Sequence, residues 1–275
     1  MPSISMENVD QIIRKLPANY KYQIATPHSA VIMKPISFPA VDLRPVINQL
    51  GLKIRSQVGG APCAVHAFTF LLEYQYMRRV FSDLSEEYLQ YVTFQVEKPQ
   101  MHGGENFWAL NVGYQKWGAV PQAFAPNQDQ IPASIPGSIM DMGKSGMRLT
   151  QKFIKNWDPS IGATQDQLDR VIKYLDQDTP VGIGLLWPKN FKTHVVGGVD
   201  LMEVPSAADK WSVVFDGHAV ALVGYQTGPV FPGNGYFVFR NSWGETFGDH
   251  GYGYMPFDYV LKYANDLCVF SLPNV

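Results

Sequence analysis

A cysteine, a histidine, an asparagine and a glutamine stand in four separated segments whose surroundings suit nucleophilic acyl chemistry. Cys63 ends the run Gln57-Val58-Gly59-Gly60-Ala61-Pro62-Cys63 and opens an apolar stretch with helical character. A cysteine at a helix N-terminus faces unpaired backbone N–H groups and the positive end of the helix dipole. Both favour the thiolate, which is the nucleophilic form. His218 follows Phe215-Asp216-Gly217 at the start of a strand of small and aliphatic residues. An imidazole there can act as base and then as acid. Asn241 opens Asn241-Ser242-Trp243-Gly244 after another strand. Its side-chain carbonyl can accept the remote N–H of the histidine and orient the ring, and the Trp243 indole can keep water off that bond. Gln57 offers an amide N–H that, with the backbone N–H of Cys63, can bind a developing oxyanion.

Helices in the first half and strands in the second must hold these groups. Residues 63–81 predict a long helix beside Pro62, and Ser85-Glu86-Glu87-Tyr88 opens a second with an acidic first turn. A third runs from Asn106 to Trp117 and stops at Gly118. Residues 121–137 are rich in Pro and Gln and read as a loop. Ile139, Met142, Gly146, Leu149, Phe153 and Trp157 then recur at helical spacing, weakened by Gly143 and Gly146, and Gln165 to Leu175 is a further helix. Residues 181–185, 219–225, 236–240 and 267–272 are β-rich and bounded by Gly, Pro or Asn. Helices first and strands second make an α+β chain, with a cleft expected between the halves. Ahead of this body, Val9, Ile12, Ile13 and Leu16 share one helical face, capped by Ser5 and ended by Pro17. The helix either packs on the body or, on a sharper reading, serves as a lid or a docking element for a protein partner.

In this combination the sequence resembles the papain-like cysteine peptidases. Gln57 stands six residues before Cys63, as in that family. His218 and the small residues up to Gly224-Tyr225 match the family histidine segment. Asn241-Ser242-Trp243-Gly244, Gly248 and Gly251-Tyr252 match its C-terminal signature, Val41-Asp42-Leu43-Arg44 resembles the start of its mature domain, and Leu84-Ser85-Glu86-Glu87 resembles its helix-opening motif. The resemblance covers residues 41–272. It implies a papain-like two-lobed fold, with a helical left lobe, a β-barrel-like right lobe and the active-site cleft between them. On that basis residues 1–40 form an N-terminal extension. Residues 41–160 form the helical lobe, with a Pro-rich insertion near 121–160, and residues 161–275 form the β-rich lobe. Cys63, His218, Asn241 and Gln57 are implied as catalytic, with Trp243 supporting. Gly103, Gly104, Glu105, Asn106 and Gly217 are implied as substrate-binding.

Departures from the family pattern are specific. Positions that carry disulfide cysteines in the family are Gly60, Met101 and Val92 here, which fits folding in a reducing compartment. The aromatic after the nucleophile is Ala64, the residue after Gln57 is Val58, and 155 positions separate Cys63 from His218. Glu105 and Asn106 would make the main specificity pocket more polar than usual, lowering its preference for bulky apolar side chains.

Other residues have blander readings. His66, three positions after Cys63, reads as a packed helix histidine rather than a second base. His194 and His102 read as loop or packing residues, although His102 could touch substrate, and Cys268 reads as a buried thiol. No second Cys/His pair has ligand spacing, so neither a metal nor another cofactor is expected.

The 275 residues carry 46% hydrophobic and 17% charged side chains, with a net charge of −2. That balance favours neither nucleic acid nor an anionic membrane as partner. Two cysteines exclude a disulfide-dense scaffold. Residues 1–10 show no secretory pattern, and a cytoplasmic location is expected. The expected function is cleavage of a peptide or amide through a thioester on Cys63. Transfer of that acyl group to an amine or thiol, as in a ligase or cyclase, is the alternative. A non-catalytic peptide-binding module is the second, and retention of all four residues speaks against it.

Overall fold

The computed structural model describes residues 39–57, 61–77, 83–96, 106–125, 132–189, 191–205 and 215–273. The N-terminal helix expected around Val9 to Leu16 lies outside them. Two short elements come first, β1 (Val41–Asp42) and α1 (Arg44–Gln49). Helix α2 (Cys63–Met77) follows and is buried from Cys63 through Gln75. An element buried on every side is a core helix, and the hydrophobic cluster that surrounds it joins it to the sheet.

Helix α3 (Glu86–Val96) is capped by Ser85, whose hydroxyl accepts the Tyr88 N–H at 3.0 Å. Helix α4 (Phe107–Trp117) is capped by Asn106, which accepts the Ala109 N–H at 2.9 Å, and it ends at Gly118 with φ +76°. Val92, one of the cysteine-replacing positions, is fully buried in a small cluster with Tyr88, Val120 and Ala125. Apolar packing therefore occupies that site.

Helix α5 (Gly137–Ser145) stops where Gly146 turns extended. The helical spacing predicted on to Phe153 and Trp157 does not hold: residues 150–155 form strand β2 (Thr150–Lys155), paired antiparallel with the far strand β9 (Ala264–Ser271). Long-range pairing overrides a local period that only a few apolar residues supported. The division at residue 160 is crossed as well, because β2 contributes to the sheet from the helical side of it.

Helix α6 (Gln165–Leu175) begins with a reciprocal cap between Thr164 and Gln167 and buries Leu168, Val171 and Leu175. The remaining strands are β3 (Val181–Pro188), β4 (Thr193–Val196), β5 (Val199–Met202), β6 (Phe215–Thr227), β7 (Gly235–Arg240) and β8 (Tyr252–Pro256), with α7 (Phe257–Tyr263) before β9. The antiparallel sheet has the order β2-β9-β3-β6-β7-β8, with β1 added on β6, while β4 and β5 form a separate hairpin. It is not closed into a barrel, contrary to the expectation for this half: β2 and β8 are edges that do not meet. Every residue of β3, β7 and β8 is nonetheless buried. Helices α2, α6 and α7 pack against the sheet, so it is covered without closing on itself. Among the described residues no helix is long and apolar enough to cross a membrane.

Candidate active site

Helix α2 starts at Cys63 and packs on β6, the strand that carries His218. The Cys63 side chain is buried, 4% exposed, and His218 is 1% exposed. Asn241 follows directly after β7, the neighbour of β6, and its backbone N–H is held by the Gly251 carbonyl at 2.9 Å. From there Asn241 Oδ1 lies 2.8 Å from His218 Nε2, and the same oxygen accepts the Ser242 N–H at 2.9 Å.

Aromatic rings enclose this pair. The Trp243 ring lies 4.7 Å from the imidazole at 35°, and Trp187 meets it edge-on at 4.8 Å. Trp187 also stacks on Phe191 at 4.9 Å, and Phe247 abuts Trp243 at 5.2 Å. Water is thereby kept from the His218–Asn241 bond, whose strength rises in a low-dielectric setting. Trp187 and Phe191 escaped the sequence reading. Trp187 lies in β3 two residues beyond Leu185, which is in register with His218, and that register is not visible in sequence.

Gln57 reaches the same place along a different strand of chain. Residues 53–57 run beside residues 240–244: the Gly244 N–H donates to the Arg55 carbonyl at 3.0 Å and the Gln57 N–H to the Ser242 carbonyl at 2.8 Å. The Arg240 guanidinium donates to the Lys53 carbonyl. The Ser242 hydroxyl then donates to Gln57 Oε1 at 2.5 Å, which leaves the amide N–H₂ as the outward donor. His218, Asn241, Trp243 and Gln57 are thus brought together, with Ser242 as the link between Asn241 and Gln57.

The substrate-binding candidates divide. Gly217 lies in β6 immediately before His218, in register with Leu186. Asn106 spends its side-chain oxygen on capping α4, so its amide N–H₂ is what it can still offer. Gly103, Gly104, Glu105 and His102 lie outside the described residues, as do Val58 and Gly60.

Behind Gln57 sits a buried ionic cluster. Arg55 contacts Glu73 at 2.7 Å and also pairs with Asp83 and Glu86. His66 Nδ1 lies 3.2 Å from Glu86. Burial alone would raise the Glu86 carboxyl, yet His66 and Arg55 hold it below the ordinary value. Glu73 goes the other way: burial pushes it up to about 7 against the attraction of Arg55. The cluster ties Arg55, two residues from Gln57, to α2 and α3, and it gives His66 a packed structural place. No group of three or more metal-ligating side chains exists among the described residues. Cys268 is fully buried in β9, and burial pushes its thiol well up, the ordinary condition of an inert cysteine.

Residues 148–264 match the family model described as papain family cysteine protease. No curated protein matches the sequence. Among solved structures, the chain is similar to xylellain, a cysteine protease from Xylella fastidiosa, with a TM-score of 0.64 at 18% identity over 94% of this chain and 99% of that one. Digestive procathepsin L 3 of Tenebrio molitor larval midgut gives 0.59 at 16% identity, over 92% and 76%. The proform of the ragweed pollen allergen and cysteine protease Amb a 11 gives 0.57 at 17%, over 86% and 66%. The chain is therefore papain-like, by family model across residues 148–264 and by fold across most of its length.

Proposed function

We propose that this chain is a cysteine peptidase that cleaves peptide or amide bonds through a thioester on Cys63. The single observation that carries the reading is the 2.8 Å contact between His218 Nε2 and Asn241 Oδ1 beneath the Trp243 ring. With Nε2 committed to Asn241, proton exchange with Cys63 falls to Nδ1. The Cys63 thiolate attacks the carbonyl carbon and a C–S bond forms. The Gln57 amide and the Cys63 N–H take the negative charge of the oxyanion. The C–N bond breaks as His218 gives its proton to the leaving amine. Water then attacks the thioester while His218 accepts its proton, the C–S bond breaks, and the acid leaves with the thiol restored.

The family match supports a hydrolase, and no observation favours transfer to an amine over transfer to water. A reducing, cytoplasmic setting is part of the proposal, on the ground that the family's disulfide positions are Gly60, Val92 and Met101 here.

Treatment with a peptidyl epoxide tests the nucleophile. Intact-mass and peptide mapping should find one adduct, on Cys63, with Cys268 unmodified, and Cys63→Ala should lose both adduct and turnover while keeping its thermal melt. Turnover persisting in Cys63→Ala would remove the assignment.

A further inference from the structure

His66 takes no step in the hydrolytic chemistry, yet it is buried one turn into α2 and meets two other elements at a single atom. Its Nδ1 lies 3.2 Å from Glu86 Oε1, in the first turn of α3. The same oxygen takes the guanidinium of Arg55, from segment 53–57. Glu86 is fully buried, and its Oε2 has no hydrogen-bond partner among the described residues, so Oε1 is the atom through which this carboxylate acts. Against burial, which would raise it, His66 and Arg55 hold the Glu86 carboxyl below its ordinary value.

These elements carry both donors assigned to the oxyanion. The Cys63 N–H stands at the start of α2, three residues before His66, and Gln57 ends the segment that Arg55 anchors. Arg55 is fixed to α3 twice, since it also donates to the Leu84 carbonyl at 3.1 Å, just ahead of that helix. Its grip on α2 through Glu73 is remote from the nucleophile, ten residues beyond Cys63 and roughly 15 Å along the helix axis. Pro62, directly ahead of α2, has no side-chain oxygen with which to cap it. The bonds from Gln57 to Ser242 tie the amide to the Asn241 side of the site and not to α2. The His66–Glu86 contact is thus a polar tie between segment 53–57 and the first turn of α2.

Oxyanion donors act within about 2.7–3.1 Å of the place where charge develops, so their spacing must be set before the substrate arrives. We infer that His66 is a positioning residue for the proposed reaction: through Glu86 and Arg55 it sets the spacing between the Cys63 N–H and the Gln57 amide. The inference rests on the proposed thioester chemistry at Cys63, and it adds a residue that acts without touching substrate. A phenylalanine at this position would fill much the same volume but leave Glu86 Oε1 to Arg55 alone.

The test measures amide kcat and KM beside the rate at which iodoacetamide alkylates Cys63, a displacement of iodide that forms no oxyanion. In His66→Phe, kcat should fall about tenfold, while KM and the alkylation rate stay within about twofold. In a Gln57→Ala background the same substitution should change kcat less than about twofold, because the donor it positions is gone. His66→Asn, whose amide N–H₂ can donate where Nδ1 does, should keep at least about a third of the wild-type kcat. An unchanged kcat in His66→Phe, an undiminished loss in the Gln57→Ala background, alkylation that falls in step with kcat, or no rescue in His66→Asn overturns the proposal. If His66→Phe does not fold, Glu86→Gln is judged by the same criteria. Failure of both to fold places the contact in the fold rather than in the site, and overturns the proposal too. Absence of both amide turnover and Cys63 alkylation in the wild type overturns the peptidase assignment itself, and this inference with it.

Discussion

In the proposed mechanism Asn241 acts through a single contact, so its removal separates orientation from folding. Acid–base catalysis by a positioned side chain contributes about 10²–10⁴-fold, and Asn241→Ala should forfeit roughly ten- to a hundredfold of kcat. Steady-state kinetics beside a thermal melt distinguishes that outcome from unfolding. Ser242 invites a similar comparison: its hydroxyl holds Gln57 Oε1 at 2.5 Å, and Ser242→Ala should lower kcat more than it changes KM, by freeing the amide to rotate. At this scale much was legible. Cys63, His218, Asn241 and Gln57 announce themselves by type and by their immediate neighbours. Trp187 does not, because its contact with the imidazole depends on how β3 registers against β6.

Among the elements, the segment 53–57 is the one that couples the two sides of the site, and a glycine governs its fit. Gly251 has φ +90°, and a Cβ there would lie 2.6 Å from the Ile54 side chain. Gly251→Ala should therefore cost about 1–3 kcal/mol, the usual range for a strained backbone position, visible as a lower midpoint in denaturant titration. The same substitution should reduce activity, because Ile54 lies three residues from Gln57. Helices α2, α3, α4 and α6 were readable, each from apolar spacing combined with a cap or a breaker at its end. Strand β2 was not. Its apolar residues, Phe153 and Ile154, are consecutive and show no alternation, and its identity is settled by β9, more than a hundred residues away. Segment 53–57 could not be read either, since its pairing with 240–244 follows no local pattern.

For the molecule as a whole, buried charge sets how stability responds to pH. The Glu73 carboxyl sits at about 7 in the folded state against an ordinary 4.5. Between those values the folded chain binds more protons than the unfolded one, so stability falls as pH rises from about 4.5 to 7. Asp266, also at about 7, acts in the same sense. Chemical denaturation at pH 5 and 7.5 should show the wild type losing more stability across that interval than Glu73→Gln. An equal loss in the wild type and in Glu73→Gln would mean that Glu73 takes up no proton on folding. The α+β class and the order of helices and strands were evident from composition shifts along the chain, whereas the open sheet was not. Whether edges meet depends on strands distant in sequence and on the helices that cover them.

The position of β9 inside the sheet has a temporal consequence. It lies between β2 and β3, so β2 has no neighbour until residues 264–271 have left the ribosome. Segments bearing Cys63, His218 and Asn241 are all synthesised before it. A chain stalled at residue 263 therefore holds every proposed catalytic group, yet it lacks the strand that joins β2 to β3. Under the proposed function, activity would wait for the last strand of this sheet to be made.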